Sequence, residues 1–346
     1  MAPEPSTSDD FIAVDVYATY PHCNGFLPDG SRMVVGDAER PALHIVDVAR
    51  GARPELLIDL PPAGDAIAWF DVALEVPLLA MAWAGQVLTL DLTDAAARPR
   101  TVHTGDLDGL VGISPDGSRI AAIEQRGTER TLLVIDVETG RVDDRVSLAS
   151  HANHVQMSPA DPSWIGCAHE GAAAEIADRV WAHHPASAPS GRLLFDQRAN
   201  ADDPAHPLQV GHERWTFHRP GAVLVAYGDG PQTRGVWEAP VDAPARLVSA
   251  GARDWHVGIS RDGSHIVVDT TGPSDMPGRG WQDAGDRSSI VVIDTGTGER
   301  TVVAETRFSQ HPFHPHPSFT PDGRAVVHNH IDTTGRRGVA LQEVPR

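Results

Sequence analysis

The chain has 346 residues, enough for one large core or two smaller ones, punctuated by 32 Gly and 28 Pro and carrying a formal charge of -19. That charge excludes the basic face a nucleic-acid partner needs, while leaving room for a small anion in a locally positive pocket. Two cysteines, Cys23 and Cys167, give neither a disulfide framework nor a Cys-x-x-Cys site; no apolar run is long enough to cross a membrane, and the N-terminus has no export signal, so a cytoplasmic protein is expected.

In chain order, residues 1–10 read as a flexible tail and 11–346 as one domain. The segment Phe11-Ile-Ala-Val-Asp-Val reads as a strand that pairs with the end of the chain. A repeat follows, in which an apolar strand comes after an Asp-Gly turn: Leu27-Pro-Asp-Gly, Ser114-Pro-Asp-Gly, Ser260-Arg-Asp-Gly and Thr320-Pro-Asp-Gly, with Ser158-Pro-Ala-Asp-Pro as a variant. Asp-Gly between apolar runs is a hairpin signal, because Gly accepts a positive φ. Each unit is followed by a strand that ends in a turn, as in Leu43-His-Ile-Val-Asp, Val87-Leu-Thr-Leu-Asp, Leu133-Val-Ile-Asp and Val291-Val-Ile-Asp. Weaker copies begin at Arg179, Gly235 and Gly338. The first of these aspartates recur about every 45 residues, the length of a four-stranded propeller blade. Seven copies predict an all-β, seven-bladed β-propeller, closed by the first strand so that no sheet edge is left open. No stretch reads as a helix; Ala172-Ala-Ala-Glu-Ile-Ala-Asp offers a short helical turn at most.

In a propeller the inner strands begin on one face of the channel, and the loops joining second to third strands gather there too. Blades one, four, five, six and seven start with histidine: Tyr20-Pro-His22-Cys-Asn24, Asn153-His154-Val-Gln156, Gly211-His212-Glu213, Trp255-His256 and His314-Pro-His316. Alternation along a strand would put His314 and His316 on the same face. The blade-four loop adds His169 and Arg179, and the Gly-rich 272–285 loop, with Arg279, is a candidate lid. His183, His184 and His218 carry no placement signal, and His328-Asn-His330 reads as strand. Several neutral imidazoles can hold a divalent transition metal with an open position. His212 could serve as a general base and Arg179 could neutralise an anion. Such parts suit hydrolysis by metal-bound water or proton abstraction beside a metal-held carboxylate. A propeller that only binds a sugar or protein partner is the non-catalytic alternative.

The run from residue 150 to 325 resembles the oligogalacturonate lyase family of seven-bladed polysaccharide lyases. The matching pieces are Asn153-His-Val-Gln-Met-Ser-Pro-Ala-Asp-Pro, Cys167-Ala-His-Glu-Gly, Asp178-Arg-Val-Trp, Gly211-His-Glu-Arg-Trp, Trp255-His-Val-Gly-Ile-Ser-Arg-Asp-Gly and His314-Pro-His-Pro-Ser-Phe-Thr-Pro-Asp-Gly. The resemblance implies β-elimination on short oligogalacturonates in pectin degradation, with a manganese ion held by His256, His314 and His316, His212 as the base and Arg179 as a catalytic partner. His22, Asn24, His154, Gln156 and His169 are then candidates for contact with the small acidic oligosaccharide. Where the family places a glutamine as fourth ligand, this chain has His311, with Gln310 beside it; an all-imidazole set would admit Zn2+, Fe2+ or Ni2+ as well as Mn2+.

Overall fold

A computed structural model describes residues 11–49, 51–94, 98–172, 175–227, 234–251, 253–270 and 286–345. The expected N-terminal tail, the 272–285 loop with Arg279 and part of the expected turn near Ala172 lie outside the described residues. Seven four-stranded antiparallel sheets form the blades of a β-propeller, and no helix occurs among the described residues, so none is long and apolar enough to cross a membrane.

The Asp-Gly repeat makes the turn between first and second strands. Gly30, Gly117, Gly263 and Gly323 sit at φ of 71, 74, 73 and 69°. In each turn the Asp carboxylate accepts the backbone N–H two residues on, as Asp116 does from Ser118 (3.0 Å) and Asp262 from Ser264 (3.0 Å). In three of the four turns the residue two before the Asp adds its hydroxyl: Ser114 donates to Asp116 (2.6 Å), Ser260 to Asp262 (2.7 Å) and Thr320 to Asp322 (2.7 Å). These are local side-chain turns that fix hairpin register.

Within a blade, burial falls from the axis outward. The second strand of blade five, Gly221–Tyr227, is buried along its whole length, whereas the outer strands Glu55–Asp59 and Val142–Leu148 are largely exposed. The core lies between blades. Ile123, Leu132 and Val134 of blade three pack on Val155, Met157, Ile165 and Cys167 of blade four. The ring closes where Phe11–Val14 pairs with Arg337–Glu343, the third strand of blade seven.

Three boundaries differ from the sequence reading. The closing strand stops at Val14, because Asp15 turns at φ 58° and Val16–Tyr17 already belongs to blade one. Residues 18–25 leave that inner strand as a loop toward the axis, and pairing resumes only at Phe26, opposite Met33. In blade seven the inner strand is only Ser318–Phe319, so His314 and His316 precede it rather than alternate along it. Prolines cause both interruptions, since Pro21, Pro315 and Pro317 have no N–H to give a ladder.

Neighbouring blades interlock through aromatic rings laid on glycine. A Cβ on Gly166 of blade four would lie 1.9 Å from Nε1 of Trp215, a fully buried side chain of blade five. Gly166→Ala is expected to destabilise the protein by about 1–3 kcal/mol through overpacking. A urea midpoint equal to that of the parent would contradict the interlock.

Candidate metal and catalytic centre

The histidines reach the axis because the inner strands break register where they stand. His154 lies in the break between the pairs Asn153↔Ala168 and Gln156↔Gly166, and His212 between Gly211↔Val225 and Arg214↔Val223. His256 lies between Asp254↔Thr270 and Val257↔Val268. A bulge re-aims a side chain that the pleat would otherwise send into the blade. His154, His212 and His316 have φ of 54, 52 and 45°, left-handed values that cost a non-glycine residue roughly 1–3 kcal/mol each. Three such residues around one channel mark a place where aim has been preferred to stability.

His256, His314 and His316 are buried, and each offers a ring nitrogen within 4.8 Å of the others. Asp269 orients two of them. Its carboxylate accepts the backbone N–H of His256 at 2.7 Å, stands 2.8 Å from His256 Nδ1 and accepts the backbone N–H of His316 at 3.3 Å. A carboxylate on Nδ1 fixes that proton and leaves His256 Nε2 bare, the arrangement of a metal-ligating imidazole. His256 Nε2 and both ring nitrogens of His316 are buried without a hydrogen-bond partner, so the donor set fits a cation. Asn329 holds the loop carrying the other two histidines, giving its amide N–H groups to the carbonyls of Pro312 (3.0 Å) and His314 (2.8 Å). The 328–330 segment is strand, as expected, and its asparagine is a support for the site.

His311 flanks the trio. It is solvent-exposed, with its ring 4.1 Å from that of His314 and 5.1 Å from that of His316. Gln310 is exposed too, and its carbonyl accepts the Phe313 N–H.

His212 stands next to His256, ring centres 4.4 Å apart, between Trp255 and Tyr227. Arg179 is buried and donates to Glu170 at 3.0 Å. Its Nε would lie 3.3 Å from a Cβ on Gly211, so the missing side chain there leaves room for the guanidinium beside His212. His22 and His154 face each other at 5.1 Å between ring centres, close to Tyr20. His169 hydrogen-bonds Asp178 (2.9 Å), itself half exposed, at the rim of blade four.

Asn24 and Gln156 have other tasks. The Asn24 amide donates to the carbonyls of Phe26 and Val72 and accepts from the Phe26 N–H. The Gln156 amide donates to the Glu213 carbonyl and accepts from the Trp215 N–H. Both side chains are occupied with backbone. Asp269, Tyr20, Trp69 and Glu213 also belong to the site and were not picked out from the sequence. Asp269 was detectable as an acid ending the buried run Ile266–Val268, and Glu213 as an acid inside a buried inner strand.

Burial first, and neighbouring imidazoles second, hold His256, His316 and His212 well below the ordinary imidazole range. Burial, followed by His154, does the same for His22. These rings are neutral, and therefore able to ligate or accept a proton, at pH 7.

Fold and site together define a seven-bladed propeller with a buried cluster of histidines at the inner ends of its blades. No protein-family model matches the chain. Its sequence is 24% identical over 226 residues to the oligogalacturonate lyase of Dickeya dadantii (strain 3937), covering 62% of this chain and 55% of that protein. It is 23% identical over 223 residues to the oligogalacturonide lyase of Pectobacterium atrosepticum, with the same coverage of 62% and 55%. The match thus spans about half the length of these curated relatives. In fold, an oligogalacturonate lyase solved in complex with manganese superposes with a TM-score of 0.78 at 19% identity, covering 96% of this chain and 91% of that one. The oligogalacturonate lyase from Vibrio parahaemolyticus gives 0.76 at 16% identity, over 96% and 92%. The sequence likeness falls on the same family as the resemblance read from the motifs, and the structural likeness shows the same seven-bladed fold.

The neutral histidines set a sign for acid stability. Below about pH 6.5 the unfolded chain binds protons that the folded, metal-free site refuses, so stability falls as pH drops, by up to about 1.4 kcal/mol per pH unit for each histidine kept neutral. The metal-free protein is expected to lose Tm between about pH 7.5 and 5.5. A flat Tm across that range would show that these rings take up protons in place.

Proposed function

We propose that the chain is a metal-dependent lyase that cleaves short oligogalacturonates, or related uronate oligosaccharides, by β-elimination. The observation that carries this reading is the convergence of His256, His314 and His316, two with bare buried nitrogens, beside His212 and Arg179. His311, whose ring adjoins that of His314, is better placed than Gln310 as a fourth donor. A divalent cation at this site, manganese by analogy with the manganese-bound lyase, would act as a Lewis acid on the uronate carboxylate and make the C5 proton more acidic. An imidazole-rich set also accepts Zn2+, Fe2+ or Ni2+.

The chain's own residues do the rest. His212, neutral and close to His256, takes the proton from C5. The electron pair left at C5 forms the C4–C5 double bond as the bond from C4 to the leaving oxygen breaks, and that oxygen takes up a proton. Arg179 supplies fixed positive charge for the anionic substrate in a chain whose net charge is -19. His22 and His169 remain candidates for sugar contact. The free, buried Cys23 and Cys167 support a reducing, cytoplasmic setting.

Metal-loaded protein is expected to convert digalacturonate to an unsaturated uronate, to lose this activity with chelator and to regain it with a divalent metal. His212→Ala is expected to cut kcat by ~10²–10⁴-fold while retaining metal and ligand affinity. A product without the new double bond would indicate hydrolysis instead. Ligand binding without turnover of any uronate oligomer in the parent protein would make the chain a binding module.

A further inference from the structure

Glu213 is 2% exposed and lies in the channel wall next to His212 in sequence, yet neither of its carboxylate oxygens has a hydrogen-bond partner. A buried carboxylate left so is costly and calls for an explanation. Its Oε1 lies 3.5 Å from His154 Nδ1, an atom that is likewise buried and without a hydrogen-bond partner. On the other side of the same ring, His154 Nε2 is 3.2 Å from the hydroxyl of Tyr20, and that hydroxyl is 3.5 Å from His212 Nδ1. Glu170 is farther from His154 Nε2, at 3.8 Å, and is already engaged by Arg179.

We infer that Glu213, His154 and Tyr20 are positioning residues: the Glu213–His154 contact and the two hydrogen bonds of the Tyr20 hydroxyl together fix the tautomer of His212. The inference rests on His212 being the base. A carboxylate oxygen faces His154 Nδ1, so His154 keeps its proton on that nitrogen. His154 Nε2 then has only a lone pair, and Tyr20 must donate to it. With its proton committed, the Tyr20 oxygen can only accept from His212, which puts the His212 proton on Nδ1. His212 Nε2 is left bare, ready to take a proton from carbon. The opposite polarity would set the lone pair of His154 Nδ1 against the carboxylate. Direction therefore runs from a single buried acid, across three blades, to the nitrogen that does the chemistry.

The test is nitrogen-15 NMR of histidine-labelled, metal-free full-length protein at neutral pH, together with steady-state kinetics of the metal-loaded protein. In the parent, both His154 and His212 are expected to carry the proton on Nδ1. Tyr20→Phe should release His212 toward the Nε2-protonated form while His154 stays as it was, and Glu213→Gln should loosen both rings. Each variant should lower kcat by ~10-fold or more with KM within ~3-fold and metal affinity unchanged. Glu213→Asp should recover part of the rate. A parent His212 protonated on Nε2, or a Tyr20→Phe variant with the parent tautomer and kcat, would overturn the inference. Correct tautomers in a parent protein that turns over no uronate would overturn the base assignment alone, because the NMR readout needs no activity.

Discussion

Inner strands of neighbouring propeller blades form no ladder with each other, so the channel wall must be stitched by side chains. Polar residues do this by bonding to the backbone of the next blade. Asn24 of blade one donates to the Val72 carbonyl of blade two. Asp71 of blade two accepts the N–H of Asn24 on one side and of Ile113, in blade three, on the other. Gln156 joins blade four to Glu213 and Trp215 of blade five. Asp269 joins blade six to His316, and Asn329 of blade seven accepts the Ala18 N–H at the start of blade one. Each such bond contributes only about 1 kcal/mol net. Their larger effect is that most are buried and would be expensive to leave unmade, which fixes the ring geometry around the axis.

The site depends on these seams. Asp269 is both a seam and the orienting partner of His256, so one carboxylate ties blade six to blade seven and aims a candidate ligand. Asn329 joins the ring at blade one and holds the loop that carries His314. Bulges at His154, His212 and His256 turn these rings to the axis, and the rigid ring bears the backbone strain at His154, His212 and His316. Crowding neutral imidazoles into a buried space creates unsatisfied nitrogens, and a cation or a proton-donating substrate relieves them.

Much of this was legible in the sequence. The Asp-Gly turns with their carboxylate partners repeat visibly in four places, and the strand-and-turn unit that follows them, which recurs seven times, fixes the blade count. The histidine-bearing starts of blades four to seven could be read because the turn unit counts back to them. What could not be read is where pairing breaks. Alternation would have put His314 and His316 on one strand face, whereas the prolines around them keep both outside the ladder, and they converge through a loop. Asn24 and Gln156, polar residues at the mouths of inner strands, look from sequence like sugar contacts, yet their amides are consumed by the seams. Asp269 and Glu213 show in the sequence only as acids within buried strand runs, and their contacts with His316 and His154 come from other blades; the Tyr20 pairs lie more than a hundred positions apart, and no local pattern records them.

The account therefore turns on whether the three blade-borne imidazoles hold a metal. Crystals grown with manganese and measured for anomalous scattering test this directly. The account predicts a single strong peak in the histidine cluster, about 2.0–2.3 Å from Nε2 of His256 and from one ring nitrogen each of His314 and His316. A peak elsewhere on the chain, or none in this cluster at saturating metal, would contradict it.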